Sequence, residues 1–168
     1  MQHQFEDVLH ANEQFAASYH DPGLVGQAAR GLAIVTCMDS RIDPLGMLGL
    51  AKGDAKILRN AGARVTDDVL RTLVLATHLL GVERVMIVAH TDCRMTKASN
   101  DEIHSAIRDS AGIDTRSLDF GAIEDQQAVL AGDVQRVRSS PYLPVGLPVI
   151  GCLYHLDTAR IEVVVPQQ

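Results

Sequence analysis

Two groups of side chains with metal-ligand chemistry stand far apart in this chain, Cys37-Met38-Asp39-Ser40-Arg41 and His90-Thr91-Asp92-Cys93. Together they offer two thiols, one imidazole and the nearby carboxylate of Asp39. Thiolate plus imidazole favours zinc over magnesium or calcium, because a borderline-soft d¹⁰ ion prefers sulfur and nitrogen to hard oxygen. Three protein ligands suit a catalytic zinc, which keeps its fourth corner for water or substrate. The same residues permit a second chemistry, in which Cys37 is a nucleophile and His90 its base. That reading gives Cys93 no part, and the residues by themselves leave both open.

Asp39 and Arg41 are two apart, so an extended segment turns them to one face. A guanidinium there can grip the carboxylate bidentately and keep it ionised. Beside a metal, such a carboxylate orients a water molecule. Away from one, it is an ordinary surface ion pair.

The elements that would position these groups are short and alternate in type. Residues 31–37, Gly-Leu-Ala-Ile-Val-Thr-Cys, form an apolar run of the kind found in a strand buried on both faces. A second strand is expected over Ala55–Arg59, stopped by the turn Asn60-Ala61-Gly62. Thr66 is placed as a helix N-cap, with Val69, Leu70, Leu73, Val74, Thr77 and Leu80 at helical spacing before Gly81. Arg84–Ala89 gives a third strand that runs directly into His90. Cys37 and His90 thus each follow the carboxyl end of a strand. In parallel sheets that is the edge where loops converge on a site.

Further helices are expected over Asp101–Ala111 and Ile123–Val137, the second stopped by Ser139-Ser140-Pro141. Two antiparallel strands, 149–155 and 161–165, close the chain around Asp157-Thr158. Residues 1–20 suit an amphipathic helix bearing Phe5, Val8, Leu9 and Phe15, with no evident partner inside the chain. The expected architecture is α/β, a single domain over residues 1–168 with a mostly parallel sheet and an antiparallel edge strand.

Composition narrows the function classes. The 168 residues are 46% hydrophobic and 21% charged with a net charge of −6, which argues against a nucleic-acid footprint. No apolar run approaches a membrane span, and Met1–Asp7 lacks the basic start of a secretory signal, so a cytoplasmic protein is expected. Three cysteines do not make a disulfide framework, and Cys152 is expected only to pack.

Cys37-Met38-Asp39-Ser40-Arg41, the turn Arg59-Asn60-Ala61-Gly62 and His90-Thr91-Asp92-Cys93 resemble the β-class carbonic anhydrase signature in order and spacing. Gly53-Asp54-Ala55-Lys56 and Ser139-Ser140-Pro141 extend the likeness over almost the whole chain, whose length suits the small archaeal-type and bacterial members. The resemblance implies a β-carbonic anhydrase-like fold with Cys37, His90 and Cys93 as zinc ligands. It also implies Asp39–Arg41 as a catalytic dyad, with Gly62 and Arg94 at the substrate. The implied reaction is reversible hydration of carbon dioxide to bicarbonate and a proton. Zinc lowers the pKa of bound water from about 9 to about 7, so a zinc-bound hydroxide is available near neutrality. His3, His10, His20, His78, His104 and His155 are candidates to relay the proton out. The family's N-terminal helix embraces a partner, which implies a homodimer or a higher even oligomer.

One residue departs from the family pattern. Glycine usually follows the second cysteine ligand, and here Arg94 does. A positive φ at that position would strain a non-glycine residue. The same fold also hosts hydrolases of carbonyl sulfide and carbon disulfide. Those activities, and a non-catalytic zinc protein with Asp39 filling the fourth corner, are the other expectations.

Overall fold

The computed structural model describes residues 4–168. Five strands, β1 (Leu32–Cys37), β2 (Ala55–Asn60), β3 (Arg84–His90), β4 (Val149–His155) and β5 (Arg160–Val165), form one sheet in the order β2-β1-β3-β4-β5. The first four run parallel and β5 returns antiparallel along β4. Helices α1 (Glu6–Ser18), α2 (Asp67–Leu79), α3 (Asn100–Ala111) and α4 (Gln126–Arg138) complete the fold. This is the expected architecture.

β1 is the central strand of the three that build the site, and its residues are apolar because both faces are covered. Its one hydroxyl, Thr36 Oγ1, is fully buried and donates to the Val88 carbonyl at 2.9 Å. On one face Val35, Val85 and Ile87 pack with Leu73 of α2 and Val134 of α4. On the other, Ile34, Val88, Cys152 and Tyr154 form a second cluster, beneath a loop that contributes Ile42, Met47 and Leu48.

Local chemistry sets the helix ends. The Thr66 side chain accepts from Val69 N–H, as its N-cap placement requires. Ser99 and Glu102 make a reciprocal capping box that starts α3 at Asn100, one residue before the expected boundary. α4 begins at Gln126 rather than Ile123, because the Asp125 carboxylate takes the N–H groups of Gln127 and Ala128. Ile123 belongs instead to a loop pinned by its N–H to the Met95 carbonyl at 2.8 Å.

α2 carries the chain from β2 past β1 to β3, so the two strands flank β1. Thr36 stands beside Val88 in the β1–β3 register, which brings the loops after Cys37 and His90 to the same edge. α1 has no buried residue, and Phe5, Val8, Leu9 and Phe15 are all exposed. Of the expected helix over 1–20, residues 1–3 lie outside the described residues; the helix itself is shorter, Glu6–Ser18, because the chain turns extended at Tyr19.

Candidate metal centre

The strand ends do bring the two groups together. Cys37 ends β1, His90 ends β3, and Cys93 follows after a tight turn. Their ligand atoms lie within 4.8 Å of one another, with the two sulfurs 4.0 Å apart, and all three residues are buried. His90 Nδ1 faces its neighbour's carbonyl, Thr91 O, at 2.8 Å. A carbonyl only accepts, so the ring proton sits on Nδ1 and Nε2 keeps a free lone pair. Among the described residues, Nε2 is the one buried side-chain nitrogen or oxygen without a partner. A buried polar atom left unpaired is costly, and a cation between it and two sulfurs would satisfy it. The donor set and the orphaned nitrogen both fit zinc.

The sulfurs are prepared unequally. The Cys93 thiol donates toward Cys37 and pulls its thiol well below the ordinary range, against the opposing cost of burial. The backbone N–H groups of Gly62 and Asp39 add to the effect. Cys93 is correspondingly raised by Cys37 and by burial. A bound divalent cation would hold both as thiolates.

Asp39 and Arg41 meet as the spacing implies. Arg41 Nε and Nη2 donate to Asp39 Oδ1 and Oδ2 at 2.9 and 2.7 Å, and the Arg41 N–H adds a third bond to Oδ1 at 3.0 Å. This grip holds the Asp39 carboxyl well below the usual carboxylate range. Asp39 Oδ2 lies 3.9 Å from His90 Nε2, so the carboxylate faces the ligand cluster while remaining on the guanidinium.

Several supporting residues have no separate signal in the sequence. Arg59 donates to the carbonyls of Cys37 and Asp39 at 2.9 and 2.6 Å, tying the loop after β1 to β2. Gln126 Nε2 holds the His90 carbonyl at 3.0 Å. Arg64, bonded to the buried Asp133 at 2.8 Å, anchors the turn that holds Gly62. Their one clue was position, since Arg59 opens the quoted Arg59-Asn60-Ala61-Gly62 turn.

Gly62 sits at φ +80°, where a Cβ would approach Ile123 Cδ1 to 3.0 Å. Arg94 is exposed and opens a single 3₁₀ turn, so it carries no positive φ. The left-handed residue of this loop is Asp92, at φ +55°. The strain that a positive φ would have imposed at Arg94 is therefore absent, and its side chain lines an apolar groove of about 280 Å³ with Met95, Ile107 and Phe120. No histidine but His90 joins the cluster among the described residues, and His3 lies outside them. His10 pairs with Glu13, His155 with Glu162, and His104 packs on Phe120 with Nδ1 2.9 Å from the Thr115 hydroxyl.

A family model described as carbonic anhydrase matches residues 32–161, which span every group just described. The chain is 34% identical over 164 residues to β-carbonic anhydrase 1 of Mycobacterium tuberculosis, covering 96% of this chain and 98% of the relative. The chain belongs to the β-carbonic anhydrase family. A solved carbonic anhydrase from Streptococcus mutans superposes with a TM-score of 0.89 at 36% identity, over 95% of this chain and 96% of the other. A carbon disulfide hydrolase of Saccharolobus solfataricus is 43% identical over 158 residues, covering 79% of this chain and 76% of that protein. No helix among the described residues of this β-carbonic anhydrase homologue is long and apolar enough to cross a membrane.

Proposed function

We propose that this protein hydrates carbon dioxide reversibly, with zinc held by Cys37, His90 and Cys93. The observation that supports this most directly is the orphaned, buried His90 Nε2 beside two thiols, with an ionised Asp39 facing the same point. Zinc, when bound, acidifies water enough to make a nucleophile available near neutral pH. The protein's own groups do the rest. Asp39, held on two oxygens by Arg41, accepts a hydrogen bond from the attacking water and aims an oxygen lone pair at the carbon. The oxygen adds to carbon, one C=O electron pair moves onto oxygen, and the proton passes to buffer. We assign Gly62 to substrate binding, since its backbone N–H bears on the Cys37 sulfur and it has no Cβ to crowd Ile123. We assign Arg94, exposed and next to Cys93 in the chain, to the substrate as well, since its charge would favour the bicarbonate product.

Stopped-flow CO₂ hydration by the zinc-loaded protein tests the reading. Asp39→Asn should keep one zinc per chain and lower kcat about a hundredfold or more. A parent rate equal to buffer alone would overturn the proposal.

The relatives named carbon disulfide hydrolase favour hydrolysis of CS₂ as a second reading. Against it, the mycobacterial anhydrase and this chain cover each other almost completely, whereas the Saccharolobus hydrolase overlaps only in part. Hydrogen sulfide release from CS₂, faster than CO₂ hydration in the same sample, would promote it.

We further propose that the chain folds as one domain and works in the cytoplasm as a homodimer. The exposed apolar residues of α1 and the half-buried Leu32, Met86, Ile150 and Ile161, which the loop over the second cluster covers only in part, support the dimer, because each leaves apolar surface for a partner.

A further inference from the structure

Arg41 is held on two sides. One edge of its guanidinium serves Asp39. The other meets the residue immediately before the third ligand: Nη1 donates to Asp92 Oδ2 at 3.0 Å and Nη2 to the Asp92 carbonyl at 3.2 Å. Four of the five donors that a guanidinium offers are thereby engaged. Asp92 is itself fixed. Its other oxygen, Oδ1, takes Lys97 Nζ at 3.0 Å, and its left-handed φ of +55° lets carbonyl and carboxylate address the same guanidinium. A non-glycine residue in that region is strained, although Asp tolerates it better than most.

The consequence concerns Asp39. Its Oδ2 lies 3.9 Å from His90 Nε2, so a small swing would make the carboxylate a fourth ligand and close the site to water. The Arg41 N–H holds Oδ1, but Oδ2, the oxygen that faces His90, is held by the guanidinium alone among the described residues, on a flexible side chain half exposed to solvent. We propose that Asp92, braced by Lys97, is a positioning residue that holds Arg41 in place and so keeps Asp39 off the metal. This rests on the zinc-site reading above and assigns its control to a residue outside the ligand set and the dyad.

The test uses the cobalt-substituted protein, whose visible spectrum reports an anion entering the open fourth position. Azide is titrated into the parent, Asp92→Gly and Asp92→Asn. Glycine accepts the left-handed backbone and keeps the carbonyl, so it removes the carboxylate alone. Its azide affinity should fall about fivefold, the size of one partly exposed charge-assisted pair, at an unchanged one cobalt per chain. Asp92→Asn, which keeps the shape and loses the charge, should fall between the two. An Asp92→Gly affinity equal to the parent's would overturn the proposal. A merely structural role would lower the melting temperature or cobalt content without moving azide affinity, and that outcome overturns it too. The titration needs no turnover, so absent CO₂ hydration would sink the function proposed above and leave this inference to its own result.

Discussion

The three cysteines show how environment divides one residue type into different chemistries. Cys37 and Cys93 form one buried cluster with His90, and each perturbs the other's proton. Cys152 is as deeply buried in β4, packed in the apolar cluster with Ile34 and Val88, and burial alone pushes its thiol up from 9.0 to about 11. The thiolate is the reactive form, so Cys152 should be inert at pH 8. Iodoacetamide added to the native protein after metal chelation is expected, by mass spectrometry, to label Cys37 ahead of the raised Cys93 thiol and to leave Cys152 unlabelled. A third label without denaturant would contradict the assignment. The sign for stability follows from the same shift. The unfolded chain loses this proton first, so the Cys152 contribution is intact below about pH 9 and lost as pH rises toward 11. At this scale much was legible. Both thiol ligands, the imidazole and the dyad could be named from type and spacing, whereas Arg59, Gln126 and the part played by Asp92 could not. Those three act through carbonyl or side-chain contacts with distant segments, so Arg59 and Asp92 could be seen to lie in the motifs but not what they hold, and Gln126 had no local mark.

Among the elements, two glycines illustrate why a residue type means little without its backbone. Gly62 ends the turn after β2 at φ +80°, with Ile123 and Met95 against it. Gly132 lies inside α4 with nothing within 4 Å of where a Cβ would sit. Gly62→Ala should therefore destabilise by about 1–3 kcal/mol through left-handed strain and crowding. Gly132→Ala should stabilise by up to about 1 kcal/mol, since alanine is the better helix former and loses less entropy. Urea denaturation of both variants measures the two effects, and changes of the same sign would refute this account. Strand and helix types followed from apolar period and caps. The start of α4 did not, because Ile123 continues the helical pattern while its N–H is claimed by the Met95 carbonyl.

For the whole molecule, the question the sequence raised is what α1 covers. Phe5 is 69% and Phe15 60% exposed, and no α1 residue is buried. Each such side chain gains about 1.5–3 kcal/mol on full burial, which a second copy would supply. The parent should elute with the mass of two chains in light-scattering chromatography. Phe15→Glu is expected to shift it toward one chain and to lower thermal stability with a dependence on protein concentration. A parent mass of one chain would refute the dimer.

The sequence by itself determined the types and order of the strands, most helix ends and the identity of the groups that could hold and serve a metal. These depend on local pattern, on caps and on ligand chemistry, all of which neighbouring residues specify. The tertiary structure decided what depends on distance. It set Thr36 beside Val88 so that Cys37, His90 and Cys93 converge, and it left His90 Nε2 unpaired. It also moved the strained backbone from Arg94 to Asp92 and turned that residue onto Arg41. Parallel pairing joins strands through long crossovers, so neighbours at a sheet edge are remote in sequence and only the folded chain brings their side chains into register.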